Sequence, residues 1–506
     1  MKRFVEAVDR SQTTLFPECL DDFIDDENPV KLIDAFVDAL SLLKLGFTGV
    51  EPLATGRPAY HPAVLLKIYV YGYLNRIHSS RRLERETQRN VELMWLTGRL
   101  TPDFKTIADF RKDNGQAIRK ACQQFVAVCR QMGVFAGAMV AIDGSKFKAV
   151  NNRDKNFTPA KMKRRKQQVE ASIDRYLHEL DRTDHDEPSL AGARVPRLQD
   201  KIAALKQQLA QLADYEARMC EAADQQLSLT DPDARSMKTR GAGIVGYNVQ
   251  VAVDTEHHLI VAHEVTHVGS DRSQLDNMAH QARRAMGVGD LSVLADAGYY
   301  KGPEIVACEA DGITTYLPKP RTSNNQAKGL FDKRDFIYVA EDDQYQCPAG
   351  ERLRRRTETH PKGLTVYRYW TSVCGECALK SQCTTGKERR VSRWEHEAVL
   401  ETVQARLEQW PEAMRRRRCT AEHPFGTLKA WMGWTHFLTK TQDRVATEMS
   451  LHVLAYNLKR MIKLKGIDSL IKTIREWAAL LRRQRLFQLV MSPFRVLCGR
   501  RLVLAA

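Results

Sequence analysis

The chain has 506 residues, with 78 lysines and arginines against 62 aspartates and glutamates, which gives a formal net charge of +16. That length supports about two to four domains, and the charge favours a polyanionic partner, nucleic acid before a membrane surface. No apolar run reaches the ~18 residues of a transmembrane helix, and eleven scattered cysteines indicate a reducing cytoplasm rather than a disulfide framework.

The N-terminal region, residues 1–135, is predicted to be helical. Its first residues carry acidic side chains too early for a secretory signal. A second predicted helix spans residues 63–74, and Pro62 suits its first turn. Apolar residues also recur at helical spacing at Leu32, Phe36, Leu40 and Leu43.

A basic patch follows the second predicted helix. We expect its arginines to contact DNA phosphates, which would position DNA without reading its sequence. Short helices joined by Gly and Pro turns are compatible with a helix-turn-helix-like binder. The alternative is a plain helical bundle with a solvated basic face. The candidate DNA-binding residues here are Arg76, Arg81, Arg82, Arg85 and Arg89.

Three acidic residues stand out downstream. Asp143 ends a run of small and apolar residues, 137–142, and we expect Gly144 and Ser145 to break that strand. Asp296 follows a second apolar run in the same way, and Glu422 lies in a predicted helix. A carboxylate at the end of a buried strand is costly unless it meets a cation or donors, although an Asp alone also commonly opens a turn.

Together these carboxylates suit hard divalent cations. Mg2+ favours oxygen ligands and keeps open positions for water or phosphate. Two such ions roughly 3.5–4 Å apart can activate an attacking oxygen and stabilise a leaving one at a phosphodiester. The hypothesis requires that all three carboxylates face one pocket.

Between these acidic residues the pattern alternates between helices and strands. Residues 161–234 are predicted to form a helical hairpin insertion, as scaffold or dimer contact, because their apolar residues step by three and four. Pro188, Gly192 and Pro196 are expected to mark its turn. Strands are predicted at 244–254, 259–266, 291–294 and 313–318, with a helix at 273–286. This order predicts a mixed α/β sheet.

Residues 321–407 form a second predicted insertion, which contains cysteines. One tight Cys-x-x-Cys pair and two further cysteines could bind Zn2+ as thiolates. An iron–sulfur cluster and four reduced cysteines are the alternatives. The residues are Cys347, Cys374, Cys377 and Cys383.

Basic residues surround the three acidic candidates. Lys146 follows Asp143 closely, and the run Arg415, Arg416, Arg417 and Arg418 precedes Glu422. Beside a phosphodiester site we interpret these as phosphate ligands, whereas elsewhere such a run is a solvated face. Lys429 lies seven residues after Glu422, on the same face if the helix is regular.

Two features close the chain. Trp431 and Trp434 are interpreted as core or interface aromatics, with stacking on a displaced base as the alternative. Residues 466–506 form a basic amphipathic tail, and its packing is left open by the sequence.

These motifs resemble an insertion-sequence transposase of the DDE class, close to the insertion-sequence 1182 group. Asp143, Asp296 and Glu422 match the DDE triad, and Arg418 and Lys429 match the Tyr-Arg-Glu-Lys signature. The Tyr position of that signature falls on Arg415, a departure from the family. Three further segments also resemble the family: 231–235 (Asp-Pro-Asp-Ala-Arg), 246–250 (Gly-Tyr-Asn-Val-Gln) and 422–426 (Glu-His-Pro-Phe-Gly).

The resemblance implies an RNase H-like catalytic core built from residues 136–160, 235–320 and 408–465. It also implies a DNA transposase that binds the element's terminal inverted repeats, uses Mg2+ or Mn2+, and performs phosphodiester cleavage and strand transfer. Arg418 and Lys429 would hold the phosphate. The expected partners are double-stranded DNA at element ends and target, and further copies in a homodimer or higher oligomer, without a membrane.

The expected location is the bacterial cytoplasm, at the nucleoid when bound. Two other functions remain open from the sequence: a catalytically inactive DNA-binding regulator, and a host nuclease of the same fold.

Overall fold

The computed structural model describes residues 19–52, 54, 58–183, 188–222, 224–239, 243–320 and 324–498. The predicted absence of a secretory signal concerns residues outside these ranges, as do parts of the predicted 321–328 loop and of the tail. No described helix is both long enough and apolar enough to cross a bilayer.

The N-terminal region is helical, as predicted. Asn28 caps its first long helix by accepting a hydrogen bond from the N–H of Val30, and Pro62 opens the third helix, which is buried on nearly all sides. The helices are α1 (Pro29–Ala39), α2 (Leu42–Leu45), α3 (Pro62–Leu74), α4 (Ser80–Arg89), α5 (Val91–Thr97), α6 (Phe104–Asp113) and α7 (Gly115–Gln131).

The middle of the chain alternates strands and helices. Its elements are β1 (Met139–Lys148), β2 (Asn156–Phe157), α8 (Pro159–Thr183), α9 (Pro188–Glu221), β3 (Leu227–Ser228), β4 (Arg235–Met237), β5 (Ile244–Asp254), β6 (Ile260–Thr266), α10 (Leu275–Met286), β7 (Leu291–Leu294), α11 (Gly302–Ala310) and β8 (Ile313–Tyr316). The predicted hairpin of β5 and β6 and the predicted strand β7 are confirmed.

One mixed sheet forms the centre of the molecule, with strands in the order β6-β5-β1-β7-β8. β5 runs antiparallel to both β1 and β6, whereas β7 and β8 run parallel to β1. The short β4 pairs with the start of β5. This arrangement is the RNase H-like core that the resemblance implies.

The predicted end of β1 at Asp143 is wrong. The strand continues to Lys148, and Asp143 pairs with Val251 in its middle. Gly144 does not break the strand. A side chain at this position would collide with those of Gln250 and Asp271, which approach it closely. A small residue after the aspartate therefore makes room for one neighbour on β5 and one in the loop that follows β6.

The predicted helical hairpin is present, but its turn is not where the prolines suggested. Pro188 begins α9, and both Gly192 and Pro196 lie inside that helix. An interior proline removes one backbone hydrogen bond, and the apolar seam of α9 continues past it. The buried contact between the two helices includes Val169 of α8 and Ile202 and Leu212 of α9.

The cysteine-containing insertion folds as an antiparallel sheet that the sequence analysis did not predict. Its five strands surround the buried side chains of Tyr345, Leu353 and Tyr369, and each strand pairs with the next along the chain. The elements are β9 (Ile337–Val339), β10 (Gln344–Gln346), β11 (Arg352–Thr359), β12 (Val366–Trp370), α12 (Lys380–Cys383) and β13 (Val391–Trp394).

Four long helices complete the chain: α13 (Glu397–Gln409), α14 (Ala413–Gly426), α15 (Gln442–Lys465) and α16 (Ile467–Cys498). A π-helical segment, Thr427–Trp431, directly follows α14. The question left open for the tail is answered for its first half, where Leu470, Ile474 and Trp477 are buried and α16 packs on α1.

Candidate active site

Two of the three predicted carboxylates meet at the neighbouring inner strands β1 and β7 of the central sheet. Asp143 lies on β1, and Asp296 follows the parallel neighbour β7, so both reach the same region. The Nη2 atom of Arg417 lies 2.7 Å from Asp143 Oδ1 and 3.5 Å from Asp296 Oδ2. One guanidinium nitrogen therefore bridges the pair, in the place where a cation was expected.

The pair differs in environment. Burial raises the pKa of Asp143 to about 6, although the Arg417 charge and the Gly144 N–H, 2.9 Å away, both lower it. Asp296 is more exposed, and its Oδ1 accepts a 2.8 Å hydrogen bond from the N–H of Gly298. A carboxyl with a pKa of about 6 still ionises readily near neutral pH.

Arg417 does not face solvent as a predicted phosphate ligand would. It is only 8% exposed, and among the described residues its Nε and Nη2 atoms have no hydrogen-bond partner of good geometry. A buried guanidinium without full hydrogen bonding is costly. The ion pairs with Asp143 and Asp296 offset part of that cost.

Glu422 does not join the two aspartates in this conformation. It lies on the exposed side of α14, as does Arg418, while Arg417, Thr420 and Ala421 lie on the buried side. Over the described parts of the chain, Glu422 makes no hydrogen bond or ion pair. No group of three or more described His, Cys, Asp or Glu side chains is placed to hold a metal ion.

Lys429 does reach the site. Its Nζ donates a 2.6 Å hydrogen bond to Ser145 Oγ, two residues after Asp143 on β1, and lies 4.5 Å from the centre of the Phe147 ring. Burial lowers the pKa of Lys429, while the nearby Asp143 charge raises it. The lysine is thus held where it would meet a phosphate bound beside Asp143.

Glu422 and Lys429 are expected to share a face only if the helix is regular, and this condition is not met. Pro424 lies between them, and the π-helical segment Thr427–Trp431 follows. The N–H of Met432 donates to the Thr427 carbonyl at 2.9 Å, a hydrogen bond that spans five residues. Such wide turns shift the phase of a helix.

The two tryptophans have different surroundings. Trp434 is buried and stacks on Phe147, with ring centres 4.1 Å apart, as the core interpretation predicted. Trp431 is 72% exposed at the end of the π-helical segment. Of the two tryptophans, only Trp431 is exposed enough to stack on a base.

A fourth carboxylate, missed by the sequence analysis, lies beside Asp143. Asp271 Oδ1 accepts hydrogen bonds from Asn248 Nδ2 at 2.8 Å and Gln250 Nε2 at 2.7 Å, and Gln250 Oε1 accepts one from the Tyr299 hydroxyl. The nearby Asp271 charge also contributes to the raised pKa of Asp143. The sequence feature that could have pointed to Asp271 is the pair of polar residues Asn248 and Gln250 on the otherwise apolar strand β5, since buried amides need hydrogen-bond partners.

The family-like segment 231–235 has a structural role. Asp231 is buried and accepts hydrogen bonds from the Tyr247 hydroxyl at 2.9 Å and the N–H of Thr441 at 3.0 Å. It thereby ties β5 to the start of α15.

The predicted DNA-binding residues lie in two groups. On α4 and just before it, Arg76, Arg81, Arg82, Arg85 and Arg89 are exposed. Arg89 pairs with Glu86. On α14, Arg415 and Arg416 are exposed. Lys146 is half-buried and donates to the carbonyl of Lys238 at 2.9 Å.

The four candidate zinc ligands, Cys347, Cys374, Cys377 and Cys383, line one small cavity of about 30 Å³ in the insertion. They form no disulfide. Burial raises the pKa of Cys383, and the other three sulfurs are close enough to raise it further. The thiols therefore converge, although as they stand they are not arranged as metal ligands.

Two family models match the chain. Residues 18–113 match a transposase domain (DUF772), and residues 216–458 match the transposase DDE domain. The second match contains Asp296 and Glu422, and together the two cover about two thirds of the chain. With an RNase H-like sheet that brings two aspartates together, these matches define a DNA transposase of the DDE class.

The chain belongs to the DDE transposases of insertion sequences, enzymes that cleave DNA and transfer strands. No curated protein sequence matches it. A cryo-EM structure of the piggyBac transposase synaptic complex with hairpin DNA is similar over 91% of this chain and 82% of that chain, with 10% identity and a TM-score of 0.32.

Proposed function

We propose that Asp143, Asp296 and Glu422 are the metal-binding carboxylates of this transposase, with Mg2+ or Mn2+ as the cation. The observation that supports this most is the position of Arg417, because its Nη2 atom lies near one oxygen of Asp143 and one of Asp296. A site that holds a guanidinium between two carboxylates also suits a divalent cation. When bound, the ions would activate an attacking oxygen and stabilise a leaving one.

The protein's own side chains would position the DNA for this reaction. Lys429, fixed by Ser145, would hold the phosphate beside Asp143. Arg418 would bind the same strand through its planar fork. The exposed arginines of α4 would contact the phosphates of the terminal inverted repeats. Positioning and charge stabilisation are most of what phosphoryl transfer requires of a protein.

Asp143→Asn tests the assignment. We expect it to abolish Mg2+-dependent cleavage of DNA that carries an element end, while end binding in a mobility-shift assay stays unchanged. Asp174→Asn, at an exposed position on α8, is the matched control and should keep full cleavage. Cleavage retained in Asp143→Asn would remove this residue from the site.

The same assay with precleaved ends asks whether the freed 3′ hydroxyl attacks target DNA. Strand transfer by the wild type together with its loss in Asp143→Asn would place both steps in one site. Cleavage without transfer would instead favour the nuclease alternative for this chain.

We propose further that the four cysteines bind one structural Zn2+. Support comes from their convergence on one cavity and from the tight turn at Cys347, whose carbonyl accepts from the N–H of Gly350 at 2.8 Å. Binding requires the thiols to close further around the ion. Metal analysis of the purified protein should give about one zinc per chain, falling towards zero in Cys374→Ser/Cys377→Ser. Bound iron with sulfide would point to a cluster instead.

The finer expectations are proposals too. We propose that the protein acts as a homodimer or higher oligomer on paired DNA ends, in the bacterial cytoplasm and at the nucleoid when bound. Free cysteines throughout the described chain support a reducing compartment. Membership of the insertion-sequence 1182 group stays a prediction. Light scattering with and without end DNA would measure the oligomeric state.

A further inference from the structure

A hydrogen-bonded network of four polar side chains lies beside the two aspartates. Asn248 and Gln250 of β5 are fully buried, and Tyr299 is 1% exposed. Asp271 is half-buried in the loop after β6. Its Oδ1 atom accepts from both amides, at 2.8 Å from Asn248 Nδ2 and at 2.7 Å from Gln250 Nε2. Since both amides are removed from water, breaking one of these hydrogen bonds leaves a buried polar group unsatisfied.

Asp271 determines which way the amide of Gln250 faces. An ionised carboxylate only accepts hydrogen bonds, so Gln250 turns its Nε2 atom towards Asp271. The Oε1 atom of Gln250 is thereby turned towards Tyr299, and the Tyr299 hydroxyl donates to it. Burial and the charges of the three nearby aspartates raise the pKa of Tyr299 well above 10, so the hydroxyl keeps the proton that it donates. The direction of both hydrogen bonds thus follows from one carboxylate.

Tyr299 anchors the turn that carries Asp296. The side chain of Asp296 is 48% exposed, and it precedes a single turn of 3-10 helix, Ala297–Tyr299. Asp296 Oδ1 accepts from the N–H of Gly298 at 2.8 Å, and the Asp296 carbonyl accepts from the N–H of Tyr299 at 3.1 Å. Because Asp296 itself is only partly buried, the buried ring and the hydroxyl of Tyr299 hold this turn against β5.

The other end of the network contacts the strand of Asp143. Gly144, the next residue on β1, pairs with Gln250 of β5. A methyl group added at Gly144 would overlap Gln250 Nε2 and would lie 2.6 Å from Asp271 Oδ1. Both groups therefore lie directly against the backbone beside Asp143. The network joins this backbone to the turn that carries the other aspartate.

We infer that three residues of the network are positioning residues, which fix Asp296 relative to Asp143 so that the pair binds a cation. They are Asp271, Gln250 and Tyr299. The inference rests on the proposed metal site and adds residues that act through Asp296. Metal ligands depend on the groups that hold them, and loss of such a group typically weakens metal binding or activity by about 10–100-fold. Ligands must also stand within about 0.5 Å of their productive places.

Asp271 acts through Gln250 rather than as a further metal ligand. Its Oδ1 atom already accepts from two amides, and within the described ranges no three His, Cys, Asp or Glu side chains are placed to hold a metal ion. A positioning role needs only an oxygen that accepts these two hydrogen bonds, whereas a ligand role needs the negative charge. Asp271→Asn keeps the oxygen and loses the charge, so this substitution separates the two roles.

Tyr299→Phe is the first test, because it removes the hydroxyl and keeps the buried ring. We expect Mn2+ binding by calorimetry to weaken at least tenfold, and kcat for cleavage of end DNA to fall at least tenfold with an unchanged KM. Tyr300→Phe is the matched control, because the Tyr300 hydroxyl is buried without a hydrogen-bond partner in the described part of the chain. It should bind Mn2+ and cleave like the wild type. Thermal unfolding is measured on the same samples. A lower unfolding temperature of Tyr299→Phe with wild-type Mn2+ affinity and kcat would show a merely structural role and overturn the inference.

Asp271→Asn and Asp271→Ala form the second test. We expect Asp271→Asn to keep Mn2+ affinity and kcat within about threefold of the wild type, and Asp271→Ala, which has no acceptor, to lose at least tenfold in both. Equal losses in the two variants would overturn the positioning role, because they would require the charge itself. Wild-type affinity and kcat in Asp271→Ala would overturn it as well.

The variant that combines Tyr299→Phe with Asp271→Ala tests whether the two residues act through Gln250. Because one broken link already releases the turn, the combined loss should be close to the larger single loss rather than the product of both. Losses that multiply would contradict the link. Asp143→Asn is measured alongside. If it keeps Mn2+-dependent cleavage, the proposed metal site fails, whereas an inactive Asp143→Asn with a wild-type Tyr299→Phe overturns only the positioning.

Discussion

The Nη2 atom of Arg417 lies 2.7 Å from Oδ1 of Asp143, in the proposed metal site of this transposase. Because the same nitrogen also approaches Asp296, one guanidinium supplies the countercharge of both carboxylates. The stability of the protein and its response to metal should therefore be linked through one side chain.

Arg417→Met should lower the stability of the metal-free protein, because two neighbouring carboxylates lose their shared countercharge. Breaking a buried ion pair costs about 3–5 kcal/mol, and the partial exposure of Asp296 places this case at about 1–3 kcal/mol. Mn2+ should then stabilise the variant more than the wild type, since no internal cation competes with it. Thermal unfolding with and without MnCl2 measures both effects. Arg415→Met, at an exposed position, should change neither, and equal Mn2+ shifts in wild type and Arg417→Met would contradict the competition.

Metal binding should weaken below about pH 6. Burial raises the pKa of Asp143 to about 6, and a protonated carboxyl is a poor ligand, so protons and Mn2+ compete. Affinity measured by calorimetry should be level above that pH and fall by up to tenfold per pH unit below it. Affinity that stays level down to pH 5 would show that Asp143 is not a ligand.

Protonation of Asp143, which should weaken metal binding, should stabilise the folded protein. The pKa of this carboxyl in the folded protein lies above the ordinary value of 3.8, so the folded state binds the proton more tightly. The contribution of Asp143 to stability therefore rises as pH falls from above 6 to below 4. Asp143→Asn should remove this component from the pH dependence of urea unfolding in EDTA.

Gly246→Ala should destabilise the central sheet. Gly246 pairs with Lys148, and an added methyl group would overlap the carbonyl of Phe147 on β1. Because the obstacle is backbone, the strands must move apart, at a cost of about 2–3 kcal/mol. Gly289→Ala meets open space and should change stability by less than about 0.5 kcal/mol. Urea unfolding compares the two, and equal midpoints would show that the sheet adapts to the added methyl group.

His452→Phe should stabilise the protein. The ring of His452 is buried between Tyr73, His78 and Trp434, and neither ring nitrogen has a hydrogen-bond partner within the described structure. Removing such unpaired groups while keeping the ring should gain about 1–3 kcal/mol at pH 7. Urea unfolding at pH 7 measures it, and a destabilised variant would indicate a hidden partner.

His452→Phe should also reduce the loss of stability in acid. Burial lowers the pKa of His452 well below 6.5, so the unfolded chain gains a proton below 6.5 that the folded protein resists, and stability falls there. His78, with a pKa lowered to about 4 for the same reason, should keep part of the effect. His360→Phe, at an exposed position, should leave the acid dependence unchanged.

The sequence by itself determined the helical N-terminal region, the succession of strands and helices along the core and the identity of a DDE transposase. Strands such as β5 and β7 are nearly continuous apolar runs, and burial dictates that pattern locally. The carboxylates were recognisable because a charged residue after such a run needs a partner. None of this required knowledge of distant contacts.

Only the tertiary structure decided which arginine faces the aspartates. Arg415, Arg416, Arg417 and Arg418 are chemically equal in the sequence, and the choice among them depends on which face of α14 packs against β1, β5 and β7. Asp271 and the sheet around the cysteines were hidden for a related reason, since short polar strands and a loop carboxylate acquire meaning from neighbours far along the chain. Local sequence pattern predicts which segments are buried, whereas the side chain of α14 that meets the aspartates is decided by how this helix packs on the sheet.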